Sequence, residues 1–131
     1  VTGDLVTMLD QKDAAKEKLV LGQVTLGGKA VESDRNSPVV LMGDSHTLVY
    51  HEPINGGISA SGGGIMDALA GELGLAPDLV GVLGSGANAT RINLARRRDN
   101  LAGKKTIVWV FTAREFTESA QGWMKVPVVQ P

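Results

Sequence analysis

Three residue groups in this 131-residue chain have types and a spacing that could do chemistry. The first is Gly43-Asp44-Ser45-His46, which directly follows the apolar run Val39-Val-Leu-Met42. A serine that attacks a carbonyl needs a base to take its proton and donors aimed at the oxyanion that forms. Ser45 is the candidate nucleophile, and the backbone N–H groups around Gly43, Asp44 and Ser45 are candidate donors. His46 is the nearest candidate base, although adjacent side chains on a turn usually point apart. His51 lies further along, with nothing in the sequence to hold it near Ser45. Asp44-Ser45-His46 spells D-x-H, yet one tight turn does not easily present nucleophile, base and orienter together. The plainer reading is that Asp44 and Ser45 only cap a following helix or close an Asx turn.

The second group is Gly84-Ser85-Gly86, where glycine lets backbone donors come close to an oxyanion or a substrate. The third is Arg114, a charged donor for the same oxyanion, or alternatively one half of a surface ion pair with Glu115 or Glu118. Gly84-Ser-Gly-Ala-Asn-Ala89 also fits G-x-G-x-x-A, the dinucleotide fingerprint. That pattern normally follows the first strand of its unit and here follows the second, and the nearest acid after the next strand, Glu115, comes late for a ribose contact. Asn88-Ala-Thr90 is a formal glycosylation sequon. Two histidines and no cysteine leave no expectation of a metal or cofactor.

These groups need elements to position them. Val39 to Met42 reads as a buried strand ending in a tight turn. Ile65 to Leu73 is an amphipathic helix with Ile65, Met66, Leu69 and Leu73 on its inner face, stopped by Gly74. Leu79 to Leu83 is a second buried strand, and a helix follows from about Ala89 to Arg98 with Ile92, Leu94 and Ala95 inside. Thr106 to Phe111 is a third buried strand. Strand, helix, strand, helix, strand is the order of a parallel α/β sheet with right-handed crossovers. Ser45, Gly84 and Arg114 then fall along one edge, the edge where such sheets place their chemistry.

Upstream, Leu5, Met8 and Leu9 have helical spacing from about Asp4, Val20 to Leu26 reads as a strand ending at Gly27-Gly28, and Lys29 to Ser37 reads as a loop. Pro53 to Gly64 holds five glycines in twelve residues, as a solvated linker or as backbone that approaches a ligand. The length bounds the chain to a single domain. A formal charge of −1 points to no polyanion, so no nucleic-acid partner is expected, and Arg96-Arg97-Arg98 reads as the polar end of a helix. No apolar run is long enough to span a membrane.

Val39-Val-Leu-Met-Gly-Asp-Ser-His-Thr-Leu-Val49, Gly84-Ser-Gly-Ala87 and Ile107-Val-Trp-Val-Phe-Thr-Ala-Arg-Glu-Phe116 resemble, in order and spacing, the SGNH-hydrolase-like domain of the alginate O-acetyltransferase family of bacterial polysaccharide-modifying proteins. The resemblance extends over about residues 1 to 126, and W-x-F-x-x-R-E-F is its more telling part. It implies a three-layer SGNH or flavodoxin-like fold with a small, mainly parallel sheet. It also implies that Ser45 carries an acetyl group and that the Gly84–Gly86 loop matches the glycine block of the oxyanion region. Arg114 would stand where simpler SGNH hydrolases have their asparagine block. The family's Asp and His come from a D-x-H element ahead of G-D-S, and this chain has no histidine upstream of Gly43. The resemblance therefore implies either a fragment, incomplete ahead of Val1, or a member that has lost its base. Related proteins act in the periplasm or at the cell surface within polysaccharide-modification complexes, using a polysaccharide and an acyl donor.

Three functions are carried forward. The first is serine-dependent acyl transfer to or from a polysaccharide; the second is a non-catalytic module that binds glycan or a partner protein; the third is nucleotide binding at Gly84 to Ala89.

Overall fold

The computed structural model describes residues 9, 18, 20–54, 59–84, 86–118 and 122–129. The expected helix from Asp4 lies outside the described residues, as does Ser85.

The described chain opens with a small hairpin, β1 (Thr25–Leu26) and β2 (Lys29–Ala30), paired antiparallel. Gly27 and Gly28 both carry positive φ, 57° and 77°, as a two-residue hairpin turn of the right twist requires. Lys29 and Ala30 therefore extend a strand where a loop was expected, because the turn is as short as it can be.

Next come β3 (Val39–Gly43), α1 (Ile65–Leu73), β4 (Asp78–Gly81), α2 (Gly86–Arg96), β5 (Thr106–Val110) and the single turn α3 (Arg114–Thr117). The three longer strands form one parallel sheet in the order β4-β3-β5, with Gly43 opposite Gly81 on one side and Val110 on the other. The chain is thus a small α/β protein whose first long strand is the central one.

Residue alternation along β3 explains how both faces are covered. Leu41 packs with Met66 and Ala70 of α1 and with Val31, while Val40 and Met42 pack on the other face with Val80 and with Leu94 of α2. A strand buried on both faces must be apolar throughout, which is why its signal in the sequence is so clear. β5 is different. It was expected to be buried, but no strand pairs with its outer side among the described residues, and Thr106 and Ile107 are exposed.

Both helices match their expected inner faces in part, with Met66, Leu69 and Leu94 packed inward. In α1 the buried residues are Met66, Asp67 and Ala70, while Ile65 and Leu73 are exposed. In α2 they are Ala87, Thr90 and Leu94, and the helix starts at Gly86, ahead of the expected Ala89. No helix among the described residues is long and apolar enough to cross a membrane.

Candidate active site at the strand ends

The parallel register carries the carboxyl ends of β3, β4 and β5 to one edge, as the order of elements predicts. β3 leads into Asp44 and a 3₁₀ turn over Ser45–Thr47. Asp44 caps that turn: its carboxylate accepts from the His46 N–H at 2.9 Å, and its carbonyl accepts from the Thr47 N–H at 3.1 Å and hydroxyl at 2.7 Å. The plainer reading of Asp44 as a cap is therefore correct.

The cap does a second thing. Asp44 Oδ1 also lies 2.8 Å from His46 Nδ1, so a buried carboxylate holds an exposed imidazole by one ring nitrogen. Asp44 and His46 thus meet on one tight turn, two of the three groups that the sequence reading holds apart. The reason is geometric. A 3₁₀ turn is tight enough for the capping side chain to meet both the backbone and the ring two residues on. No hydrogen bond of the Ser45 hydroxyl is found among the described residues, so the pair and the candidate nucleophile are adjacent without being bonded.

Gly43 allows the turn to start where it does. A Cβ at this position would sit 2.6 Å from the Val110 carbonyl oxygen of β5 and against the Thr47 side chain. Only glycine lets the strand end lie flush against its neighbour.

From β5 come Arg114 and Glu115. Arg114 is exposed, and neither Glu115 nor Glu118 forms an ion pair with it among the described residues. Glu115 instead reaches the start of α2, where its Oε2 accepts the Ala87 N–H at 3.2 Å, and its carboxylate fills the space beside Gly86. This contact changes two expectations. It supplies an acceptor for the first turn of α2, so the helix begins within the glycine loop. It also places a carboxylate at the helix start within the Gly84–Ala89 pattern, the end of a helix that attracts anions. Of the Gly84-Ser85-Gly86 block, Gly84 and Gly86 lie at this edge and Ser85 is outside the described residues.

Two features here had no clear sequence signal. Thr112 Oγ1, just past β5, is buried with no hydrogen-bond partner among the described residues, which leaves a donor at the same edge unused. Beyond it, Phe111, Phe116 and Trp123 form an aromatic cluster with Trp109; Phe116 and Trp123 stack at 5.5 Å, and they are 69% and 39% exposed. The C-terminal segment reaches this position because Asn88 and Arg91 of α2 tether it. Asn88 Oδ1 accepts the Met124 N–H, and Arg91 donates to the Met124 carbonyl at 2.8 Å. Asn88, half of the formal sequon, thus has a structural task.

Comparison with known proteins finds no matching family model, no matching curated protein and no matching solved structure.

Proposed function

We propose that this chain is a serine-dependent acyl-transfer domain with an SGNH or flavodoxin-like arrangement, acting as an O-acetyltransferase or acetylesterase on a polysaccharide. The observation that carries the reading is the Asp44–His46 pair on either side of Ser45, at the end of the central strand. With Nδ1 held by a carboxylate, the imidazole keeps Nε2 as its acceptor.

In this reading His46 takes the Ser45 proton through one intervening water as the serine oxygen bonds to the acetyl carbonyl carbon. Backbone N–H groups at the turn and the Arg114 guanidinium hold the oxyanion. The imidazolium then returns the proton to the leaving oxygen as its bond to the acyl carbon breaks. The acetyl group passes from Ser45 to a sugar hydroxyl or to water. The sequence resemblance supports the substrate class and a periplasmic or cell-surface setting, within a polysaccharide-modification complex.

The test is intact mass and peptide mapping after exposure to a fluorophosphonate, with Ser45→Ala as control. A single adduct on Ser45 supports the reading, and an unmodified Ser45 after prolonged exposure refutes it.

The exposed Phe116–Trp123 stack favours a second reading, a module that binds glycan without catalysis. Flat aromatic faces pack against the apolar faces of sugar rings. Ser45→Ala leaves glycan binding unchanged in that case, and Trp123→Ala removes it.

A further inference from the structure

Around the glycine-rich stretch lies a second set of serine, histidine and carboxylate: Ser61 within it, His51 just before it and Asp67 in α1. His51 Nδ1 meets both oxygens of Asp67, at 3.0 and 3.1 Å. Asp67 is 1% exposed, and its Oδ2 also accepts the Gly64 N–H at 2.9 Å, so this carboxylate is fixed from two directions. A carboxylate at Nδ1 holds the ring proton there and leaves Nε2 as acceptor, the form a general base needs. His51 and Asp67 line a pocket of about 170 Å³ together with Gln23, Val31, Ser61 and Gly62. Ser45 does not line it.

Several local features fix the chain around these groups. Tyr50, just before His51, has φ of 63°, a left-handed conformation rare for a bulky side chain and one that concentrates at functional sites. Gly64 lies so close to His51 that a Cβ would sit 2.7 Å from the His51 nitrogen and 2.5 Å from the Val49 carbonyl oxygen. The backbone beside Ser61 is pinned on both sides: the Gly62 N–H donates to the His51 carbonyl at 3.3 Å, and the Gly62 carbonyl accepts the Val24 N–H at 2.8 Å. Gln23 Nε2 donates to the Ser61 carbonyl at 3.2 Å, and the amide has a second N–H. A neighbouring concavity of about 310 Å³ is lined by Leu21, Gln23, Ser59, Ala60 and Ser61, so Ser61 stands where the two meet.

We infer that Ser61, His51 and Asp67 are a second nucleophile, base and orienter, and that their pocket takes esters of short carboxylic acids. His51 Nε2 accepts the Ser61 proton as the serine oxygen bonds to the ester carbonyl carbon, and the second Gln23 N–H donates to the oxyanion. The imidazolium gives that proton to the alcohol oxygen as the ester C–O bond breaks. Water then repeats the exchange, freeing the acid and restoring Ser61. The modest size of the pocket, about 170 Å³, suits an acyl group of a few carbons. The alcohol portion extends into the outer concavity.

This inference does not depend on Ser45, and one experiment separates the two. The full chain carrying Ser45→Ala is exposed to a small fluorophosphonate and its peptides are mapped. The expected result is one adduct on Ser61, absent from the Ser45→Ala/Ser61→Ala chain and slowed about tenfold or more by His51→Gln. No adduct on Ser61, or labelling that His51→Gln leaves at the same rate, overturns the inference. Label on Ser45 alone in the unsubstituted chain supports the first site and overturns this one. Nitrogen chemical shifts of the unsubstituted chain keep the test independent of any variant's folding. In the neutral ring the expected signals are a protonated Nδ1 and an unprotonated Nε2, and two equally populated tautomers overturn the inference.

Discussion

Replacing Asp78 with alanine tests what holds the sheet together at the end opposite the site. Asp78 opens β4 and is 1% exposed. Arg97 Nη1 reaches both of its oxygens at 2.7 Å, and Lys104 Nζ lies 2.8 Å from one of them. Arg97 also donates to the Leu79 carbonyl at 3.0 Å, and Lys104 to the Ser37 carbonyl at 3.0 Å. One carboxylate therefore joins the start of β4, the residue after α2, the lead into β5 and the lead into β3. Alanine leaves two largely buried cations facing each other with no counter-charge. Removing one partner of a buried ionic group costs about 3–5 kcal/mol, a large share of the roughly 5–15 kcal/mol that stabilises a domain. At about 3 °C per kcal/mol for a chain of this length, the midpoint of thermal unfolding falls by about 10–15 °C. Urea titration followed by far-ultraviolet circular dichroism reads the free energy directly. A loss under about 1 kcal/mol would show that water already solvates these charges and would refute the reasoning. Changing all three residues together to apolar ones of similar volume should cost far less than Asp78→Ala alone, since no orphaned charge remains.

Other substitutions probe the site and its support. Asp44→Asn keeps a good N-cap, so stability measured by urea titration changes by less than about 1 kcal/mol. The same change removes the charge that orients His46, and fluorophosphonate labelling of Ser45 slows about tenfold or more, at roughly 1.4 kcal/mol per tenfold. Gly43→Ala forces a methyl against the Val110 carbonyl and the Thr47 side chain and destabilises by about 1–3 kcal/mol, read by the same titration. Leu41→Ala empties a fully buried position between β3 and α1 and costs about 2–5 kcal/mol.

What the sequence reveals follows how local each cause is. β3 is legible because a strand buried on both faces must be apolar without a break, and its turn because Gly43-Asp44-Ser45 punctuates it. The meeting of three strand ends follows from element order alone. The inner face of α1 is legible only in part: Met66 and Leu69 pack inward as expected, but Asp67 is drawn inside by His51, sixteen positions earlier, and by the Gly64 N–H. The start of α2 depends on Glu115, 28 positions later. The Asp44–His46 pair is local, yet it depends on the turn being 3₁₀ rather than open, and the letters D-S-H do not encode that. The clasp around Asp78 had no signal, since Arg97 lies within a basic run that reads equally well as a solvated helix end.

The placement of charge gives the two edges of the sheet different work. The buried ionic clasp of Asp78, Arg97 and Lys104 lies where the strands begin, and its groups satisfy one another and nearby carbonyls. Where the strands end, the polar groups are only partly satisfied among the described residues: His46 Nε2 has no hydrogen bond, Arg114 no ion pair and the Thr112 hydroxyl no partner. Saturated polar groups hold a structure, and unsaturated ones are free to bind. A change at the first edge should therefore move stability and leave labelling of the folded fraction at its original rate. Asp44→Asn should do the reverse. If Asp78→Ala slowed labelling in the folded protein as strongly as Asp44→Asn does, the edges would be coupled through β3 and β4, and the serine turn would be held in place by the clasp as well as by its own cap.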